Sequence, residues 1–147
     1  GIEMILANDI CVAGEKSKFG QIEVKRGILA FGGATIRFHQ RCGWGNAMKY
    51  LLTGDMFEAQ EALKIGLVQE LSKDPVSQAT AIAERIAQQA PLAVQATLAS
   101  AKTAILDGSN LAEQGLMPAL NHLMQTEDAK EGLMSFLERR EANFKGK

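Results

Sequence analysis

Apolar positions along this chain change their spacing near residue 72. Before that point they come in short runs punctuated by glycine. Ile2, Met4, Ile5 and Leu6 surround Glu3 at a spacing that predicts one or two helical turns over residues 2–7. Ile10, Cys11 and Val12 form a β-branched apolar run over 9–13, closed by Gly14, and predict a buried strand. A polar turn over 15–18 leads to Phe19-Gly20, and Gly27, Gly32 and Gly33 mark a loop before a helix over 34–41. A second helix is expected over 44–52, ended by Thr53-Gly54-Asp55. A third runs over 58–65 with Gly66 just past its end, where glycine tolerates the left-handed conformation that stops a helix. Leu67 and Val68 begin a last short strand over 67–71.

Beyond Ser72 the spacing is helical almost throughout. Asp74-Pro75 is a helix start, with a capping carboxylate ahead of a proline in the first turn. Val76, Ala79, Ala83, Ile86 and Ala90 then recur on one face. Pro91 resets the chain, and Val94, Leu98, Ala101 and Ile105 make the next stripe, ending at Asp107-Gly108. A third stretch over 109–125 contains Pro118, which predicts a kink or a split. Thr126 is placed to cap the last helix, and Glu127 and Asp128 put negative charge in its first turn, where the helix dipole favours it. The expected organisation is α/β: a mixed layer over 1–71 followed by a mainly helical region over 72–147, so that the chain itself is mostly α.

At 147 residues the chain has the size of one ordinary domain, and its 46% apolar content is that of a folded protein. A net charge of −1, from 16 basic and 17 acidic residues, with no basic stripe interleaved with aromatics, argues against a nucleic-acid partner. No apolar run reaches the ~18 residues a membrane-spanning helix needs. Cys11 and Cys42 are too few and too scattered for a disulfide framework or a metal cluster. No secretory leader is visible, which makes the cytoplasm the expected compartment. The start at Gly1 in place of methionine reads as a cleavage or a truncation.

Candidate chemistry centres on Glu3 and Glu23. A lone glutamate reads as a solvated surface residue. Here Glu3 opens an apolar segment and Glu23 stands between Ile22 and Val24, a low-dielectric setting suited to proton transfer. Their surroundings carry a resemblance. Gly1-Ile2-Glu3 followed by Asn8-Asp9-Ile10 resembles the end of the Gly-Gly-Gly-x-Glu-Leu-Ala…Asp-Ile motif of the crotonase (enoyl-CoA hydratase/isomerase) family. Phe19-Gly20-Gln21-Ile22-Glu23 is similar to its Phe-Gly-x-Pro-Glu, and Gly33-Ala34-Thr35-Ile36-Arg37 to its Gly-Gly-Thr-x-Arg. Thr53-Gly54, Ala59-Gln60-Glu61-Ala62 and Gly66-Leu67-Val68 follow in the family's order, and Phe136 to Arg140 resembles its C-terminal helix.

The resemblance implies the later turns of a ββα spiral core followed by a helical oligomerisation tail. It implies an acyl-CoA substrate, with coenzyme A as part of that substrate and no separate cofactor or metal, and a trimer or dimer of trimers. Glu3 and Glu23 would be the catalytic acids of a hydratase-like lyase, Glu23 handling the proton at Cα and Glu3 helping to activate water. Gly1 joins the substrate-binding set with Phe136 and Arg139, the last two meeting the adenine and its phosphate from a neighbouring subunit. The oxyanion-hole donors would lie ahead of Gly1, leaving this stretch inactive by itself and prone to assemble through exposed apolar surface. Ile22 stands where the family has proline, and Ala30-Phe31 where it has Pro-Gly. A crotonase-type isomerase or thioester hydrolase remains open, as does a non-catalytic helical oligomerisation module.

Other residues read more plainly. His39 and His122 are surface or packing histidines, Gly32-Gly33 a tight turn, and Trp44 a packing anchor. Met117, Met124 and Met134 read as core or interface filling. Lys130, Arg140, Lys145 and Lys147 read as a solvated face or as contacts to phosphate.

Overall fold

Phe38, Leu67 and Val68 are the largest side chains shut away from solvent, and the first part of the chain is wound around them. The computed structural model describes residues 1–147, which divide into two units, Gly1–Ala81 and Ile82–Lys147.

The first unit runs α1 (Ile2–Leu6), β1 (Val12–Gly14), β2 (Lys18–Phe19), a 3-10 helix (Glu23–Arg26), α2 (Ala34–Cys42), α3 (Trp44–Thr53), β3 (Phe57–Glu58), α4 (Ala59–Lys64) and β4 (Glu70–Ser72). Strands β1 and β4 pair in parallel, Val12 opposite Glu70. Strands β2 and β3 pair antiparallel, Phe19 opposite Phe57. Ala34, Phe38 and Cys42 fall on one face of α2 and are all buried, as helical spacing of four requires. Ala47, Tyr50 and Leu51 do the same for α3. Tyr50 lies against Phe57 with ring centres 4.0 Å apart, and Phe57 against Phe19 at 5.7 Å.

Two strand boundaries differ from the sequence expectation. Pairing begins at Val12 and not at residue 9, with Ile10 left exposed. Leu67 and Val68 are not in a strand. Their amides both bond back to the Ala62 carbonyl, at 2.9 and 3.3 Å, so they finish the turn after α4 and drop their side chains into the core. The ladder starts only after Gln69, whose N–H donates to the Cys11 carbonyl and whose Oε1 accepts the Cys11 N–H, both at 2.9 Å. A buried apolar run looks the same in a strand and in a packed turn, so periodicity does not separate them. Trp44 is also not a core anchor: it is exposed and touches the His39 ring at 5.5 Å.

Helix α5 (Pro75–Ala87) spans the division between the units and is capped as expected, Asp74 accepting the Ser77 amide at 3.1 Å. The second unit continues with α6 (Pro91–Leu106), α7 (Ser109–Leu123) and α8 (Glu127–Glu138), of which α6 and α7 lie against each other. Pro118 stays inside α7 without splitting it, at the cost of the bond that its missing N–H would have made to Gln114. Thr126 Oγ1 caps α8 by accepting the Ala129 amide at 3.1 Å. No hydrophobic residue beyond Val68 is buried, so Met117, Met124 and Met134 are not core residues; all three are exposed.

What α8 does bury is polar. The Asp128 carboxylate accepts the Lys145 and Gly146 amides, each at 2.7 Å, and folds the C-terminal residues back along the helix. Beside it, Glu131 accepts from Arg140 at 2.5 and 2.9 Å and from the Asn143 amide at 2.8 Å. The Arg140 bonds, then the Asn143 amide, hold the Glu131 carboxyl down at about 2 from its ordinary 4.5. A depressed carboxyl supports the fold above its ordinary value and ceases to as pH falls through the folded one. The stability that Glu131 contributes is therefore full above pH 4.5 and fades below it, the contacts themselves breaking as the folded carboxyl takes its proton near pH 2. An NMR titration should show the Asn143 amide resonance moving in that window; one that stays fixed contradicts the pairing.

Candidate active site

The second residue of α1 is Glu3. Ile2 and Leu6 turn into the core, which leaves Glu3 on the flank of the helix, only partly exposed. The Gly1 carbonyl starts that helix, accepting the Met4 and Ile5 amides at 3.1 and 3.2 Å. Glu3 Oε1 accepts the N–H of Ala34, the first residue of α2, at 3.3 Å. At the other end of α2, Arg41 donates to the Ile5 carbonyl at 3.0 Å and also to the Asn8 carbonyl. A carboxylate thus meets the amide end of one helix while a guanidinium meets the carbonyl end of the other, the sense that helix dipoles favour.

Glu23 is placed from a different direction. Phe19 on β2 packs on Phe57, Gly20 sits against the Met56 sulfur, and Gln21 is buried. Glu23 then opens the 3-10 helix. Lys25 lies over Gly54 and pairs with Asp55 at 3.2 Å, fastening that helix to the end of α3. Ile22 and Val24 face outward at 43% and 40%, so it is not they that enclose the acid. Glu23 Oε2 is nevertheless buried, and no group of the chain donates to it; Gln21 Nε2, a donor, is buried without an acceptor from the chain. A buried polar atom left unpaired costs on the order of 1–3 kcal/mol, so such atoms mark places where a water or a ligand completes the set.

One loop runs from the main chain of Glu23 to the carboxylate of Glu3. The Glu23 carbonyl accepts the Ile28 amide at 3.2 Å where the loop begins, and the Glu3 carboxylate holds Ala34 where it ends. Between them Val24, Gly27, Ile28, Leu29 and Phe31 line an open apolar depression of about 660 Å³. Ala30 is buried and Phe31 is 83% exposed. Only Glu3 meets the loop through its carboxylate; Glu23 meets it through its main chain, and its side chain keeps one buried, unpartnered oxygen.

The remaining candidates are in the second unit. Phe136 is exposed on α8, and Arg139 closes that helix in the left-handed conformation, its N–H donating to the Phe136 carbonyl at 3.3 Å. Arg140, read from sequence as a solvated or phosphate-facing residue, is tied to Glu131 and Glu138. His122 is exposed and His39 packs on Trp44. Sequence reasoning missed the Ala34 amide, Arg41 and the buried Gln21 as parts of the site. Only the adjacent glycines before α2 signalled any of this.

Comparison with known proteins follows the geometry. The sequence profile of the enoyl-CoA hydratase/isomerase family matches residues 1–147. The chain is 39% identical to (E)-benzylidenesuccinyl-CoA hydratase of Thauera aromatica, over 99% of this chain and 58% of that protein. It is 35% identical to crotonyl-CoA hydratase of Syntrophomonas wolfei, over 98% of this chain and 56% of that protein. The crystal structure of a probable enoyl-CoA hydratase/isomerase from Mycobacterium abscessus superposes with a TM-score of 0.96 at 51% identity, covering 99% of this chain and 58% of that one. The chain therefore spans somewhat over half the length of these relatives.

The turn that delivers Ala34 to Glu3 depends on Gly33, whose φ of 104° is one that residues with a Cβ rarely adopt. Gly33→Ala should destabilise the full-length protein by about 1–2 kcal/mol, read from the urea midpoint. An unchanged midpoint would show the turn to be unstrained.

Proposed function

This chain belongs to the enoyl-CoA hydratase/isomerase family and has its α/β fold, and we propose that it carries the two acids of a hydratase acting on a 2-enoyl-CoA thioester. The observation that carries the reading is that the Glu3 carboxylate is engaged by the Ala34 amide while a Glu23 carboxylate oxygen is buried with no donor from the chain. The Ala34 N–H gives Glu3 a donor, which suits a carboxylate in its acceptor-only, ionised form and so a base towards water. Glu23, with a buried oxygen that no chain group engages, suits delivery of a proton to carbon.

In the addition, the water oxygen bonds to Cβ while Glu3 takes its proton. The Cα–Cβ π pair moves onto the thioester as an enolate, and Glu23 protonates Cα. The water hydroxyl ends on Cβ and the Glu23 proton on Cα; the proton left on Glu3 returns to Glu23 through solvent, so that the net change is the addition of one water. The enolate oxygen requires hydrogen-bond donors aimed at it. Coenzyme A enters as part of the substrate, and no separate cofactor takes part. Phe136 and Arg139 would meet its adenine and phosphate, and Gly1 would border the thioester.

Assembly as a homotrimer or a dimer of trimers belongs to the same proposal, as does a cytoplasmic role in acyl-CoA metabolism. The exposed apolar side chains of α6 to α8, among them Leu106, Leu116 and Leu137, support assembly. No helix is long and apolar enough to cross a membrane. Within the family a double-bond isomerase is the runner-up, and retention of both acids favours hydration.

Full-length protein supplied with crotonyl-CoA should bleach the absorbance of the conjugated thioester. Glu23→Gln should slow this by about 10²–10⁴-fold. Double-bond migration without hydration would replace the reading with isomerisation. A variant within about threefold of wild type, where loss of an acid should cost far more, would favour the non-catalytic oligomerisation module.

A further inference from the structure

Every residue of the chain with a positive φ is a glycine except Arg139, at 55°. It ends α8 in the left-handed conformation, where a Cβ is unfavourable and glycine is the common choice. Backbone of this kind persists only where the surroundings impose it, and it collects at binding sites. The Arg139 side chain is exposed, and Phe136, one turn back, is 79% exposed. A bare aromatic face beside a bare cation suits a base and the phosphate attached to it.

The surroundings that impose this backbone lie on either side of Arg139. Its own N–H donates to the Phe136 carbonyl at 3.3 Å, and the Arg140 N–H donates to the Ser135 carbonyl at 3.0 Å. Bonds of that sort end many helices. The Arg140 side chain adds a second fastening. It forks onto both oxygens of Glu131 at 2.5 and 2.9 Å, and its Nε meets Glu138 at 2.6 Å. Glu131 also accepts the Asn143 amide at 2.8 Å, and Phe144 lies against Gly132. For Arg140 to reach back to Glu131 the chain must turn after Glu138, and Arg139 is where it turns.

We propose that Glu131 and Arg140 are positioning residues for recognition of the coenzyme A phosphate: gripping each other, they hold the Arg139 backbone left-handed and so fix where its guanidinium stands. The inference rests on the reading of Arg139 as a phosphate contact and adds to it the pair that sets its place. Arg140 is not itself available to the ligand, since Glu131 and Glu138 engage it. A planar fork on a carboxylate fixes orientation as well as distance, which a point charge does not.

The test uses full-length protein with two substrates, crotonyl-CoA and crotonylpantetheine, the second presenting the same acyl group without adenine or phosphate. Glu131→Ala should raise KM for crotonyl-CoA about three- to tenfold, part of what loss of a charged contact costs, with kcat near wild type. Both constants for crotonylpantetheine should stay near wild type. In an Arg139→Gly background the Glu131 change should cost nothing further, because the guanidinium it positions is gone. An unchanged KM for crotonyl-CoA in Glu131→Ala overturns the proposal. So does an equal rise for both substrates, or an equal rise in both backgrounds, either of which would indicate a general effect on the fold. Should Glu131→Ala fail to fold, Arg140→Lys takes its place, keeping the charge but losing the fork; wild-type KM there overturns the proposal too. Arg139→Gly alone should raise KM for crotonyl-CoA and also raise the thermal midpoint, since glycine takes this backbone without strain. Wild-type KM in Arg139→Gly is a distinct failure: it removes the phosphate contact itself, and the positioning role with it.

Discussion

The nine residues of α2 carry one polar connection to α1 at each end, and the geometry of the site hangs on that pair. Helix α1 has only five residues, too few to hold its shape by its own backbone bonds. Its carbonyl end is completed by Arg41, and its flank is tied through Glu3 to the amide end of α2. The buried stripe of Ala34, Phe38 and Cys42 fixes α2 to the core and gives both connections a rigid base. Glu3 is therefore a structural tie and a candidate base through the same oxygen. An acid that is also a fastening cannot swing freely, and restricted placement is what proton transfer to a bound water needs.

The two units are stabilised by different means. In Gly1–Ala81 aromatic and aliphatic side chains close over one another, with Phe19, Phe57 and Tyr50 in contact and Leu67 fully buried. In Ile82–Lys147 no hydrophobic residue is buried; α6 lies on α7, and α8 is braced by Asp128 and Glu131 gripping the C-terminal residues. Exposed apolar side chains are spread over α6, α7 and α8. The relatives this stretch matches are longer than it, the chain spanning 58% of the Thauera aromatica hydratase.

Legibility in the sequence followed the kind of interaction involved. Helices announced by spacing and caps appeared where expected, with Asp74 ahead of α5 and Thr126 ahead of α8. Elements that exist only through partners far along the chain did not. The two-residue strands Lys18–Phe19 and Phe57–Glu58 have no periodicity to read, and Glu23–Arg26 is too short to announce a 3-10 helix. Leu67 and Val68 were misread as strand because burial, and not pairing, selected their residue types.

By itself the sequence determined the helices, the family through its ordered motifs, and two candidate acids. These are carried by local propensity and by residue identity, both of which are written one position at a time. Tertiary structure decided which backbone amide Glu3 would meet and which oxygen of Glu23 would be enclosed without a donor. Each of those depends on atoms brought together from separate elements, and such a meeting exists only once the chain has folded.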